Sequence, residues 1–181
     1  SFNRYLFIAT ANWGKRNFRN RDRHIRFFEG LHSKSKDNFP STLAYYENEN
    51  HASVPVIAFL NGISEIYKGY GVSYRDITSK DQLTIHYKTI SDRLSWKIRP
   101  PESLVNQLGY SALRNDKTKA LEYFILNSLN YPNSFQAFHN LGEAYEAVGN
   151  TKKALESYQI SLKLNPNNTT AHDRIEQLNS N

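Results

Sequence analysis

The chain has 181 residues, enough for one medium domain or two small ones. A formal net charge of +6, with 22% charged and 39% hydrophobic residues, is the balance of an ordinary globular chain, and no apolar run approaches the ~20 residues that a membrane-crossing helix needs. Zero cysteine excludes disulfides, thiolate catalysis and cysteine-ligated zinc, and leaves the redox compartment open.

Arg4 to Thr10 is a nearly continuous apolar run, the pattern of a strand covered on both faces in a parallel sheet. Asp22 to Leu31 places Ile25, Phe28 and Leu31 at helical spacing, and Thr42 to Tyr46 is a second strand, so the order strand, helix, strand predicts an α/β unit with a crossover. Past His51, Ser53 is a candidate cap and Pro55 sits in the first turn of a helix whose apolar face is Val56, Leu60, Ile63 and Tyr67, widened by Phe59 and Ile66. Gly69 and Gly71 end it. Ser79 and Gln82 form a capping-box pattern before another helix with Leu83, Tyr87, Ile90 and Leu94 on one face. Pro100-Pro101 then closes a connection, which sets residues 1–98 apart from residues 99–181.

In the second part Ala120-Leu-Glu-Tyr-Phe124 through Pro132 is echoed 34 residues later by Ala154-Leu-Glu-Ser-Tyr158 through Pro166. Leu141-Gly142, Tyr145 and Gly149 complete the cleaner copy, while Leu108-Gly109 precedes Ala120 by one residue fewer than Leu141-Gly142 precedes Ala154. Small residues let antiparallel helices approach, large ones fill the space between them, and proline stops the second helix. The pattern resembles the tetratricopeptide repeat. That implies two repeats, about 101–133 and 135–168, with helices near 102–113, 117–130, 135–148 and 151–164. Ala171, Ile175 and Leu178 predict a capping helix from about 168 to 179.

A second resemblance lies in Tyr45 to Pro55, where Glu47-Asn-Glu-Asn-His51 links a strand to an apolar helix. That segment is similar to the catalytic-histidine region of α/β-hydrolase esterases related to esterase D and enterochelin esterases, some of which carry tetratricopeptide repeats after the hydrolase domain. The similarity runs on through His86-Tyr87, Leu94 and Pro100-Pro101-Glu102 to Leu108-Gly109-Tyr110. It implies that residues 1–98 are the C-terminal part of an α/β-hydrolase sheet, with His51 as the general base that takes a proton from a serine during acyl-ester hydrolysis. It also favours a periplasmic or secreted parent. No G-x-S-x-G nucleophile turn occurs in the chain, so it reads as an inactive C-terminal fragment, a reading that Ser1-Phe2-Asn3-Arg4 at the start supports. Asp22, the first carboxylate after the first strand, is the candidate for the acid, and a Ser–His dyad is the other arrangement. Taken from its neighbours alone, His51 is a solvated or hydrogen-bonded loop residue.

The remaining histidines show no metal spacing, and no metal or cofactor is assigned. Lys15 to Arg26, with six basic residues around Trp13 and Phe18, reads as a solvated loop rather than a nucleic-acid contact, since one basic stretch is not a basic face. In the cleaner repeat Gln136, His139, Asn140, Glu143 and Glu146 are the candidate peptide-binding residues of the first helix. Their two carboxylates repel a terminal carboxylate, and a purely structural role for the short stack, extending the preceding domain or mediating self-association, is favoured over peptide binding. The rival to the esterase reading is a non-catalytic module that binds a protein partner or a second copy through the repeats.

Overall fold

The computed structural model describes residues 6–11, 18–34, 41–50 and 52–180. His51 lies outside them, as do Trp13, Lys15 and Arg16. The chain is mostly helical and forms two compact units, one of residues 1–71 and 88–98, the other of residues 72–87 and 99–181.

In the first unit β1 (Leu6–Ala11) pairs in parallel with β2 (Ser41–Tyr46), running from Leu6 opposite Ser41 to Ala11 opposite Tyr46. Parallel neighbours need a crossover, and α1 (Phe18–Lys34) supplies it. Among the described residues the sheet has only these two strands, which is not an α/β-hydrolase sheet. The apolar run of β1 promised cover on both faces, yet Leu6 to Ala9 are half-buried and burial is complete only at Thr10 and Ala11.

The helix α1 begins at Phe18, earlier than the apolar spacing indicated, so the arginines from Arg19 to Arg26 belong to a helix and not to a loop. Arg26 Nε donates to the Asp22 carbonyl one turn back, and the Arg21 guanidinium lies 4.9 Å from the Tyr45 ring centroid. His24 Nδ1 shares a 2.8 Å hydrogen bond with the buried Thr10 hydroxyl, and His32 Nε2 shares one of 3.0 Å with Ser41. These two imidazoles pin α1 to both strands.

Ser53 was the expected cap of α2 (Val54–Ile66), but its side chain makes no capping bond; its Oγ accepts from the Asn50 amide instead. Asn50 organises the turn, accepting from the Ala52 and Ser53 amides at 2.8 and 3.2 Å. Against β1 the helix presents Gly62, where a Cβ would stand 3.3 Å from the Phe7 ring. The expected face of Val56, Leu60, Ile63 and Tyr67 is exposed, together with Phe59. The helix is apolar on nearly every side, so periodicity could not choose, and the glycine that allows close approach did. Arg93, in the second half of α3 (Lys80–Leu94), donates to the Ile66 and Lys68 carbonyls and so closes the end of α2.

The second unit opens with a short helical turn, Tyr74–Asp76, and the first half of α3. Ser79 Oγ accepts from the Gln82 amide, while the Gln82 side chain reaches back to Thr78. Leu83, Tyr87 and Ile90 are buried, as the α3 spacing predicts. Five helices follow: α4 (Glu102–Leu113), α5 (Lys117–Asn130), α6 (Phe135–Ala147), α7 (Thr151–Leu164) and α8 (Thr169–Asn179). Each from α5 onward starts at a polar residue whose side chain accepts from the amide three positions on: Asp116, Ser134, Asn150 and Asn168. Such caps satisfy amides that have no intrahelical partner, at about 1 kcal/mol each.

Two apolar clusters hold the stack. Ala120, Phe124, Leu141 and Ala144 form one; Ala154, Tyr158 and Ala171 form the other. The two are built alike, because Gly109 receives the Phe124 ring as Gly142 receives that of Tyr158. Arg99 donates to the Asn130 carbonyl and Tyr131 to the Pro100 carbonyl, tying the α4–α5 pair at its open end.

Candidate functional site

Helices α4, α6 and α8 of the second unit line an open groove of about 650 Å³. Tyr110 and Leu113 come from α4, Glu143, Glu146 and Ala147 from α6, and Arg174 from α8. On α6 Glu146 and Ala147 follow Glu143 by three and four residues, which puts both on its face.

Behind the groove is a polar network. The Asn140 amide nitrogen donates to Asn106 Oδ1 at 2.9 Å, and Asn127 donates to the same oxygen at 2.8 Å. Asn140 Oδ1 accepts from Gln136 at 2.7 Å. The Tyr110 hydroxyl stands 2.9 Å from Asn140 Oδ1 and 2.7 Å from Glu143 Oε2. It has one proton for two acceptors, and the nearer, charged carboxylate is the stronger. Burial, then the Glu143 hydrogen bond, pushes the Tyr110 phenol far above its ordinary value.

Glu143 Oε1 lies 3.5 Å from His139 Nε2, and the other imidazole nitrogen lies 3.3 Å from the Asn168 amide. The His139 contact, with help from the Tyr110 hydroxyl, holds the Glu143 carboxyl below the usual glutamate range although burial opposes this. Among the described residues no lysine or arginine forms a salt bridge with Glu143. Glu146 differs. It accepts from Tyr158 and from both Nε and Nη2 of Arg174, a two-pronged pairing that fastens α8 to α6 and raises the Arg174 pKa.

Of the residues expected to meet a peptide, Glu143 and Glu146 line the groove and Gln136 is exposed. His139 and Asn140 are buried to 7% and 1% exposure and serve the network, because a partner helix covers their side of α6. Tyr110, Leu113, Ala147 and Arg174 were missed. Their place comes from helix packing across the stack, although a tyrosine beside Gly109 on a first helix is a signal that spacing could have carried.

Of the two residues expected to be catalytic, Asp22 is exposed inside α1 rather than at the start of that helix, and His51 lies outside the described residues. On α8 the possible metal-ligating atoms of His172, Asp173 and Glu176 come within 4.8 Å of one another on an exposed face. Among the described residues no helix is long and apolar enough to cross a membrane.

Residues 135–168, which hold α6 and α7, match the tetratricopeptide repeat family. The stretch is one helix pair of the second unit, and α4 and α5 form a pair of the same design. Among solved structures the chain is similar to the crystal structure of an uncharacterised protein from Capnocytophaga ochracea DSM 7271, with a TM-score of 0.60 and 21% identity. The match covers 99% of this chain and 54% of that one, so the chain spans about half its length, and the likeness is one of fold. No curated protein matches. Nothing in these comparisons supports an α/β-hydrolase parent or an acyl-ester substrate.

Proposed function

We propose that the second unit is a protein-interaction module that receives an extended peptide segment in the groove of α4, α6 and α8. One observation carries this reading: six side chains from three helices, both polar and apolar, converge on an open groove of about 650 Å³ around a matched tetratricopeptide repeat. Leu113 and Ala147 offer apolar contact, while Tyr110, Glu143, Glu146 and Arg174 offer directional groups, the mixture that peptide recognition uses. The network behind the groove fixes these side chains in advance, which lowers the ordering cost of binding.

The test is a peptide-display selection on the whole chain, followed by binding measurements on Ala147→Arg and Lys152→Ala. Ala147→Arg fills the groove and is expected to abolish binding; Lys152→Ala leaves it intact. Peptides that bind both variants equally, or a selection that yields no binder, reject the groove.

A further inference from the structure

The two carboxylates of the groove are in different electrostatic states. Glu146 is neutralised by Arg174, which grips both of its oxygens. Glu143 has the Tyr110 hydroxyl, an imidazole nitrogen of His139 at 3.5 Å and the more distant field of Arg174, but among the described residues no lysine or arginine forms a salt bridge with it, and its side chain keeps 36% exposure. The lining therefore carries two carboxylates against one guanidinium, leaving one negative charge at Glu143. Leu113 and Ala147 line the groove as its apolar residues, and Tyr110, 41% exposed, lines it with them.

We propose that the groove selects a cationic side chain, a lysine or arginine of a partner peptide, with its charged end at Glu143 and its methylene stem along Leu113, Ala147 and the Tyr110 ring. This rests on the peptide-binding reading above and names the chemistry of the peptide. The match is one of charge and shape together: a long side chain with an apolar stem and a positive tip suits an apolar floor ending in a carboxylate beside an aromatic ring. An acidic residue or a terminal carboxylate would meet Glu143 as a like charge and is rejected. Arg174 also acts on Glu143 through space, but its paired hydrogen bonds go to Glu146, which leaves Glu143 without a direct guanidinium partner.

The experiment uses the peptides selected on the whole chain. Lysine or arginine is expected at one fixed position of the binders that Ala147→Arg blocks. A synthetic binder and its lysine-to-norleucine analogue are then titrated against the wild type and Glu143→Gln, whose folding is checked by circular dichroism. Norleucine keeps the stem and removes the charge. It is expected to weaken binding to the wild type by about fivefold to tenfold and to change little on Glu143→Gln, the coupling of a partly buried charge pair. Binders without an enriched cation, or a norleucine effect equal on both proteins, overturn the inference and leave the peptide groove standing. The wild-type titration alone decides the matter if Glu143→Gln fails to fold, because a norleucine analogue that binds as well as lysine overturns it. A selection with no binders removes both readings.

Discussion

Gly142 lies so close to Tyr158 that a Cβ on the glycine would stand 2.6 Å from the ring Cε1, and Gly109 stands in the same relation to Phe124, at 2.5 Å from Cζ. Each helix pair closes over an aromatic ring seated on bare backbone. Gly142→Ala is expected to cost about 1–3 kcal/mol, because the buried ring has nowhere to go without moving a helix. Gly149→Ala meets open space but must hold φ +78, a strain of about 1 kcal/mol. Thermal unfolding separates the two causes. In a double-mutant cycle Tyr158→Leu should cost less on the Gly142→Ala background than on the wild type, and as much on Gly149→Ala as on the wild type.

Asn140 is 1% exposed and joined to Asn106, Gln136 and Tyr110. Asn140→Ala leaves these partners with unmet hydrogen bonds in the interior, so a loss of about 1–3 kcal/mol is expected by urea denaturation. A change within a few tenths of the wild type would mean that the network adds nothing to the stack.

Glu143 has its carboxyl held below the ordinary glutamate value, first by the His139 hydrogen bond. A carboxyl depressed in the folded state contributes stability that is present above its unfolded pKa and lost as the pH falls through its folded pKa. The acid limb of the stability curve is therefore expected to be shallower in Glu143→Gln than in the wild type. Parallel acid limbs would show that the contact is lost on unfolding without consequence.

Two buried tyrosines make opposite predictions. Tyr158 gives its hydroxyl to the Glu146 carboxylate, whereas the Tyr123 hydroxyl is buried with no hydrogen-bond partner among the described residues. Tyr158→Phe should cost about 1.5–3 kcal/mol, the range for a bond to a charged group. Tyr123→Phe should be neutral or stabilising, because it removes a desolvated hydroxyl. Chemical denaturation of the two variants side by side reads the difference.

The helical tail was largely legible in the sequence because its signals are local. Glycine, proline and polar caps punctuate a 34-residue echo, and α4, α5 and α7 fall at the expected bounds while α6 and α8 differ by one residue. The first unit was less legible. An apolar run such as Leu6 to Ala9 states that a strand exists but not how many neighbours it will have, and α2 could bury any of several sides. Within the groove, Glu143 and Glu146 were readable from one helix. Tyr110 and Arg174 reach them from helices 33 and 28 residues away in sequence, and no single-helix pattern encodes that meeting.

Ala171 of α8 is buried as fully as Ala137 of α6, 34 residues earlier. By this measure α8 is dressed as an opening helix, tucking a methyl group under its neighbour where a larger side chain would hold the two apart.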